Sequence, residues 1–388
     1  MKSLKYYDKP TCMLLCVGFL FFQSCNSNRS GGEISKENRL ESKIDSVLSK
    51  MTLQEKIGQT AQRGKSSRVK ELPEKLKEAV RKGEVGSFLN ITSKEDVKEL
   101  QRIAVEESPN KIPLIFARDV IHGYKTIFPI PLGQAASFNS ELVEKGSRVA
   151  AIEASTNGIR WTFAPMLDIA RDPRWGRIAE SAGEDPYLTS EMAKAYIKGF
   201  QGDSLNDPKS IAACAKHFVG YGAAEGGRDY NTANINNNEL HNVYLKPFKA
   251  AVDANVATFM SGFNELNGVP ASGNRNILRR ILRDEWKFDG FVVSDWNSII
   301  EMIDHGFAKD EKEAAKKAAN AMLDMEMTST SYENHLEELI EEGKFPVEYL
   351  NEMVKNILRV KFKLGLFDAP YFDDDNTCLL YTSPSPRD

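Results

Sequence analysis

Hydrophobic residues in this chain come in short blocks separated by longer amphipathic stretches, and the alternation repeats along most of its length. Apolar runs fall at Val85–Leu89, Pro113–Ala117, Trp161–Ala164, Ile211–Ala215, Ala257–Ser261, Phe291–Ser294 and Leu323–Met327. Each is of strand length rather than helix length. Between them lie Lys94–Glu106, Ser140–Ser155, Ser190–Phe200, Glu239–Asp253 and Arg275–Asp284, whose apolar positions recur at helical spacing. Strand alternating with helix predicts an α/β fold with a parallel sheet, because parallel neighbours need a long return that a helix supplies. Seven strand signals with no terminating edge strand favour a TIM-like (β/α)8 barrel over an open sheet. No clean eighth strand is legible, which leaves an irregular closure open. Ahead of these runs, Arg39–Lys50 carries Leu40, Ile44, Val47 and Leu48 at helical spacing, and Thr52-Leu-Gln-Glu55 is a capping-box pattern opening a second helix. After them, Tyr332–Leu366 reads as two or three helices beneath or beside the barrel.

The two ends fall outside this rhythm. Residues 1–25 read as an export signal: Lys2, Lys5 and Lys9 form a basic segment, and Met13–Phe22 is apolar but too short to cross a bilayer. Phe22-Gln23-Ser24-Cys25 resembles a bacterial lipobox, with Gln23 where a small or aliphatic residue is usual. The resemblance implies lipidation of Cys25, a polar tether over 26–38, and a bacterial protein that is periplasmic or anchored to the outer membrane by its N-terminal lipid alone. Plain secretion, with cleavage near Ser24, is the alternative. At the other end, Cys378-Leu-Leu-Tyr-Thr-Ser-Pro-Ser-Pro-Arg-Asp388 follows Asp373-Asp374-Asp375 without periodicity. It resembles the translation of a sequencing-library adapter, so residues 378–388 are expected to be foreign to the fold and the natural chain to have been cut near Asn376. The folded body is assigned to 39–373.

Composition narrows the partners. With 51 basic and 55 acidic residues and a net charge of -4, there is no basic surplus to neutralise a phosphate backbone, so no nucleic-acid partner is expected. Cys214 is the one thiol between Asn26 and Thr377, which excludes a disulfide within the body, and no cysteine pair has zinc-ligand spacing. Set in Ile-Ala-Ala-Cys-Ala, Cys214 reads as a buried small apolar residue. No GxGxxG stands at a strand-to-helix turn, and neither a Walker-type loop nor His-Glu-x-x-His occurs. Neither a metal nor an organic cofactor is expected.

Chemistry in parallel barrels collects where strands end. Three runs here end in polar residues: Ile115-Phe-Ala117 in Arg118-Asp119, Ala212-Ala-Cys-Ala215 in Lys216-His217, and Phe291-Val-Val-Ser294 in Asp295-Trp296. A fourth, Thr162-Phe-Ala164, runs through Pro165-Met-Leu-Asp168 into Arg171-Asp-Pro-Arg-Trp-Gly-Arg177. A sugar ring needs acceptors and donors for its hydroxyls and an aromatic wall for its apolar face. Asp119 could accept; Arg177, Lys216 and His217 could donate; Trp296 could stack. Asp295, a carboxylate ending a strand among donors, is set to attack an anomeric carbon, and nearby Arg and Lys are expected to hold its pKa low. Structural readings stand beside these. Asp295 could cap a helix over Asn297-Ser298-Ile299. Lys216 and His217 could be a structural hydrogen-bonded pair, and Arg171, Asp172 and Arg174 a local salt-bridge network. His122 reads as a loop hydrogen-bonding residue, and His241, His305 and His335 as structural.

Taken in order, Ala117-Arg-Asp119-Val-Ile-His-Gly123, Phe128-Pro-Ile-Pro, Ala164-Pro-Met-Leu-Asp-Ile-Ala-Arg-Asp-Pro-Arg-Trp-Gly-Arg177, Gly183-Glu-Asp-Pro, Ala215-Lys-His-Phe218, Asn267-Gly268 and Gly290-Phe-Val-Val-Ser-Asp-Trp296 resemble glycoside hydrolase family 3, β-glucosidase type. The resemblance runs from about residue 40 to 373. It implies an N-terminal barrel and a retaining, exo-acting enzyme that removes a terminal β-linked glucose through a glycosyl-aspartate. Asp295 takes the nucleophile's place. Asp119, Arg177, Lys216 and His217 take the places of residues that bind the sugar, and Trp296 that of a wall beyond it. Phe263 stands where some members carry a Tyr near the nucleophile. Val219-Gly-Tyr-Gly-Ala-Ala-Glu225 lacks the His used as acid/base by the branch acting on N-acetylglucosaminides, which disfavours that activity. In the glucosidase branch the acid/base Glu lies in a C-terminal α/β-sandwich domain, which is expected to be missing here. The alternatives are a β-xylosidase or arabinofuranosidase of the same family, and a non-catalytic sugar-binding lipoprotein.

Overall fold

A computed structural model of the chain describes residues 27–65 and 71–373. The readings placed on Cys25 and on residues 378–388 lie outside the described residues. The chain divides into two compact units, residues 1–42 and 43–388. The helix Ser27–Leu48 starts within the stretch expected to be a tether and continues through the predicted 39–50 helix.

Among the described residues, the second unit is built on eight parallel strands. Five form one sheet in the order β10 (Glu326–Met327), β1 (Ala61–Gly64), β2 (Ser87–Leu89), β3 (Ile115–Arg118), β4 (Trp161–Thr162). Three form a second, in the order β5 (Cys214–Phe218), β6 (Thr258–Ser261), β9 (Phe291–Val293). A small antiparallel hairpin, β7 (Glu265–Leu266) and β8 (Val269–Pro270), follows β6. The two parallel sheets meet along two seams. At one, Trp161 bridges Ala212 and the Thr162 amide donates to the Ala212 carbonyl at 2.9 Å. At the other, Val293 bridges Met325 and the Ser294 amide donates to the Met325 carbonyl at 2.9 Å.

All seven predicted runs hold or adjoin a strand. The eighth strand, β1, had no apolar signature because it reads Ala-Gln-Arg-Gly. Gln62 is nonetheless fully buried, its amide donating to Ser87 Oγ on the next strand at 2.9 Å. A hydrogen-bonded partner makes such burial tolerable, and no local pattern could announce it.

The helices cover the outside. Thr52 and Glu55 form the predicted capping box: Thr52 Oγ1 accepts from the Glu55 amide at 3.2 Å and Glu55 Oε2 accepts from the Thr52 amide at 2.9 Å. Ser140–Ser155 is helical as predicted, and Pro186–Gln201 packs on it. They approach closely at Gly199, where a Cβ would fall 2.4 Å from the Glu144 carbonyl oxygen. Two closing helices, Ser331–Glu341 and Val347–Lys363, occupy the predicted C-terminal stretch. Inside the strands, Trp161 lies edge-to-face against Phe163 (4.9 Å) and Phe291 (4.8 Å), packed with Ile115, Met260 and Met325. Cys214 is buried in the same core, and burial pushes its thiol up to about 12.

Candidate active site

The polar residues that end the strands converge at one end of the molecule. Asp119 follows β3, Lys216 and His217 lie in β5, Asp295 and Trp296 follow β9, and Arg177 reaches in from the long segment after β4. A cavity of about 350 Å³ is lined by Asp119, Arg177, Lys216, Asp295 and Trp296, together with Tyr230, Phe263, Asn90 and Met260. His217 is fully buried behind this lining. Residues 97 and 176 positions apart thus share one wall, as strand-end chemistry requires.

Asp295 sits at a sharp turn. Trp296 and Asn297 both take left-handed backbone conformations, φ +43° and +54°, which non-glycine residues adopt at a cost. The turn is held by the Asn297 amide donating to the Met327 carbonyl (3.3 Å) and the Ser298 amide donating to the Asp295 carbonyl (3.2 Å). Among the described residues no backbone amide donates to the Asp295 carboxylate, so the helix-cap reading does not hold. The turn leaves the Trp296 side chain 48% exposed at the rim.

The expectation that Arg and Lys keep the Asp295 pKa low is overturned. Burial pushes it up to about 7; Lys216 and Arg177 pull it down, and Asp119 and Glu301 push it further up. Desolvation of the charged form outweighs the two cations, and a sequence displays neighbours but not burial.

Lys216, Arg177 and His217, which the sequence offered as sugar ligands, each have a defined anchor. Lys216 is buried and its Nζ lies 3.4 Å from Asp119 Oδ1. Arg177 grips Glu180 with two bonds, Nε to Oε1 at 2.8 Å and Nη2 to Oε2 at 3.1 Å, and its guanidinium lies 5.5 Å from the Tyr221 ring centre. His217 Nδ1 is 2.8 Å from Asp168 Oδ2, and Nε2 is 3.2 Å from Asp295 Oδ2, without the angle of a hydrogen bond. Lys216 and His217 therefore pair with separate carboxylates rather than with each other. In the neighbouring loop Arg174 pairs with Asp172 as expected, Nη2 to Oδ2 at 2.6 Å, while Arg171 turns instead to Glu239 at 3.3 Å. His122 Nδ1 meets the Phe128 carbonyl at 2.8 Å, a loop role.

The sequence reading missed four residues around the site. Asp168 orients His217, and Glu180 orients Arg177. Tyr230 lines the cavity with its ring centre 4.3 Å from that of Phe263. Glu301 is half-buried near Asp295, and burial and Asp304 push its carboxyl up to about 7. Only Asp168 carried a signal, as the charged end of a strand run. Among the described residues no group of three or more His, Cys, Asp or Glu side chains is arranged to hold a metal ion.

Parallel strands, strand-end carboxylates and exposed Trp296 come together at this one cavity. The profile of the "Glycosyl hydrolase family 3 N terminal domain" matches residues 52–360, and the chain belongs to this family. It is 43% identical over 328 residues to the "Periplasmic beta-glucosidase" of Salmonella typhimurium, a match covering 84% of this chain and 43% of that protein. It is 32% identical over 363 residues to a "Beta-xylosidase" of Formosa agariphila, covering 90% of this chain and 46% of that one. Among solved structures, the β-glucosidase of Listeria innocua in complex with glucose superposes with a TM-score of 0.82 at 43% identity, covering 87% of this chain and 48% of that one. The chain spans about half the length of the relatives it matches.

Proposed function

We propose that this chain is the sugar-binding and nucleophile-bearing part of an exo-acting, retaining β-glucosidase. The observation that carries the reading is Asp295, its side chain only 14% exposed, lining a cavity that Asp119, Arg177 and Lys216 also line. The relatives named β-glucosidase support glucose as the sugar. In the proposed reaction Asp119 accepts sugar hydroxyls, while Arg177 and Lys216 donate. Asp295 attacks the anomeric carbon, the glycosidic C–O bond breaks, and a glycosyl-aspartate forms that water later hydrolyses. The leaving oxygen needs a proton, supplied from a carboxyl other than Asp295. Trp296 forms the apolar wall for the group that departs. The same reading takes the two parallel sheets as a single (β/α)8 barrel, supported by the backbone bridges at both seams. It also takes the protein as exported and lipidated at Cys25, which the periplasmic relative supports for export.

A 2-fluoro-β-glucoside with a good leaving group tests the nucleophile. Peptide mapping is expected to find the label on the Asp295 peptide, and Asp295→Ala is expected to take up none; label on another carboxylate overturns the assignment. The β-xylosidase relative motivates the second reading, a pentoside substrate. Comparing capture of 2-fluoro-glucoside with 2-fluoro-xyloside decides between them.

A further inference from the structure

Asp168 lies at the end of the β4 segment, fully enclosed, and touches neither the cavity nor its rim. One of its oxygens, Oδ2, receives two groups of the same residue: the His217 backbone amide at 2.9 Å and His217 Nδ1 at 2.8 Å. The backbone amide can only donate, which makes Oδ2 an acceptor. With Asp168 ionised, Nδ1 meets that same acceptor as a donor and carries the imidazole proton. The other ring nitrogen, Nε2, then presents a lone pair, and its nearest carboxylate oxygen is Asp295 Oδ2 at 3.2 Å. Nε2 is sealed from solvent and has no hydrogen-bond partner. Two acceptors side by side in a poorly solvated site repel, and protonation of the carboxyl relieves that repulsion.

We propose that Asp168 is a positioning residue that acts through His217: by fixing the imidazole proton on Nδ1, it turns a basic nitrogen toward Asp295 and keeps that carboxyl protonated in the empty site. The inference rests on the reading of Asp295 as nucleophile for its functional meaning, but its chemistry concerns only the resting protein. The one change is protonation: an O–H bond forms on the Asp295 carboxyl with a proton taken from solvent, while the imidazole keeps its own proton on Nδ1. The Asp168 carboxylate raises the basicity of the ring it binds, as a carboxylate does for a metal-bound histidine. Around Asp295, Lys216 and Arg177 favour the anion, while burial, Asp119 and Glu301 outweigh them. Around Asp168, burial pushes the carboxyl up to about 7, while the His217 amide, Arg177 and Lys216 pull it down and Glu180 pushes it further up. The imidazole itself is held neutral by burial and by Arg177 and Lys216.

Asp168→Asn keeps an oxygen for both His217 donors and removes the charge. Carbon-13 titration of the Asp295 carboxyl, followed in the unliganded chain by difference from Asp295→Asn, is expected to give a midpoint lower by one pH unit or more in Asp168→Asn. A purely structural role for Asp168 leaves the midpoint in place, and an unchanged or higher midpoint overturns the proposal. The unmutated chain gives a second measurement that does not depend on the variant folding. Nitrogen-15 shifts of His217 are expected to show a protonated Nδ1 and a bare Nε2; the opposite tautomer also overturns it. Both readouts work without substrate. Failure of the glycoside trap to label Asp295 therefore counts against the proposed reaction alone, and failure of these titrations against the Asp168 inference alone.

Discussion

The ionisation of Asp295 ties reactivity to stability. Its pKa lies near 7 in the fold, against an ordinary value of 3.8, because the carboxyl is buried. Between those values the folded chain binds a proton that the unfolded chain has released, so this group's contribution to stability falls as pH rises from about 4 to 7 and then levels off. Asp295→Asn removes the group that titrates. The variant is expected to gain on the parent protein across that range and to remain more stable above pH 7, by on the order of 1–4 kcal/mol. Paired denaturant melts at pH 4.5 and pH 8 check this; a stability gap that is the same at both pH values would show that Asp295 is not strained by burial. The site's outer members were legible in sequence because Asp119, Lys216, His217 and Asp295 each directly follow or end an apolar run. Glu301 carried no such signal, and Asp168 showed only as the charged end of a strand run, because the importance of both comes from a partner brought close by the fold. The carboxylate of Asp168 matters only once His217, 49 positions away, is packed against it.

At the scale of elements, polar groups inside the fold join secondary structures that the hydrophobic pattern left unconnected. Lys361, near the end of the helix Val347–Lys363, is completely buried; its Nζ donates to Gln59 Oε1 at 2.7 Å and to the Gly86 carbonyl at 2.8 Å. Those two acceptors lie just before β1 and β2, so the lysine pins the closing helix to the start of both strands. Burial lowers its pKa from 10.5 to about 7. Between pH 7 and 10.5 the unfolded chain therefore holds a proton that the folded chain has lost, and stability from this group rises with pH. Relative to Lys361→Met, the parent protein is expected to gain as pH goes from 7 to 9, at up to about 1.4 kcal/mol per unit. The variant also loses the donor to two buried acceptors, at about 1–3 kcal/mol each. Thermal melts of both proteins across that range provide the check, and parallel curves would sink the prediction. The same logic explains why β1 escaped the sequence reading. Apolar runs reveal strands with oily faces, and β1 is central by virtue of Gln62 and its bond to Ser87.

At the scale of the molecule, the proposed nucleophile and sugar pocket supply only part of what a glycosidase needs, and the expected behaviour of this chain depends on where the acid resides. Breaking an unactivated glycoside needs a proton on the departing oxygen, a contribution worth roughly 10²–10⁴-fold. Within the described residues, the carboxyls closest to that task are occupied or displaced. Asp119 faces Lys216, Glu225 is bound by Asn234, and Glu265 is bound by Thr232. A dinitrophenyl β-glucoside sidesteps the requirement, because its leaving group departs without a proton. The 388-residue chain is therefore expected to release a single burst of dinitrophenol, about one equivalent per molecule, and then stall with glucose held on Asp295 for want of a base to activate water. On cellobiose it is expected to show no steady turnover. Rapid-mixing kinetics with the first substrate and glucose assay with the second make the test. The burst should be fastest above pH 7, where Asp295 is ionised, and should slow about tenfold per unit below it. Steady cellobiose hydrolysis would mean that the proton donor lies within this chain after all. The half-buried carboxyl of Glu301, pushed up to about 7 and close enough to influence Asp295, would then be the first residue to replace.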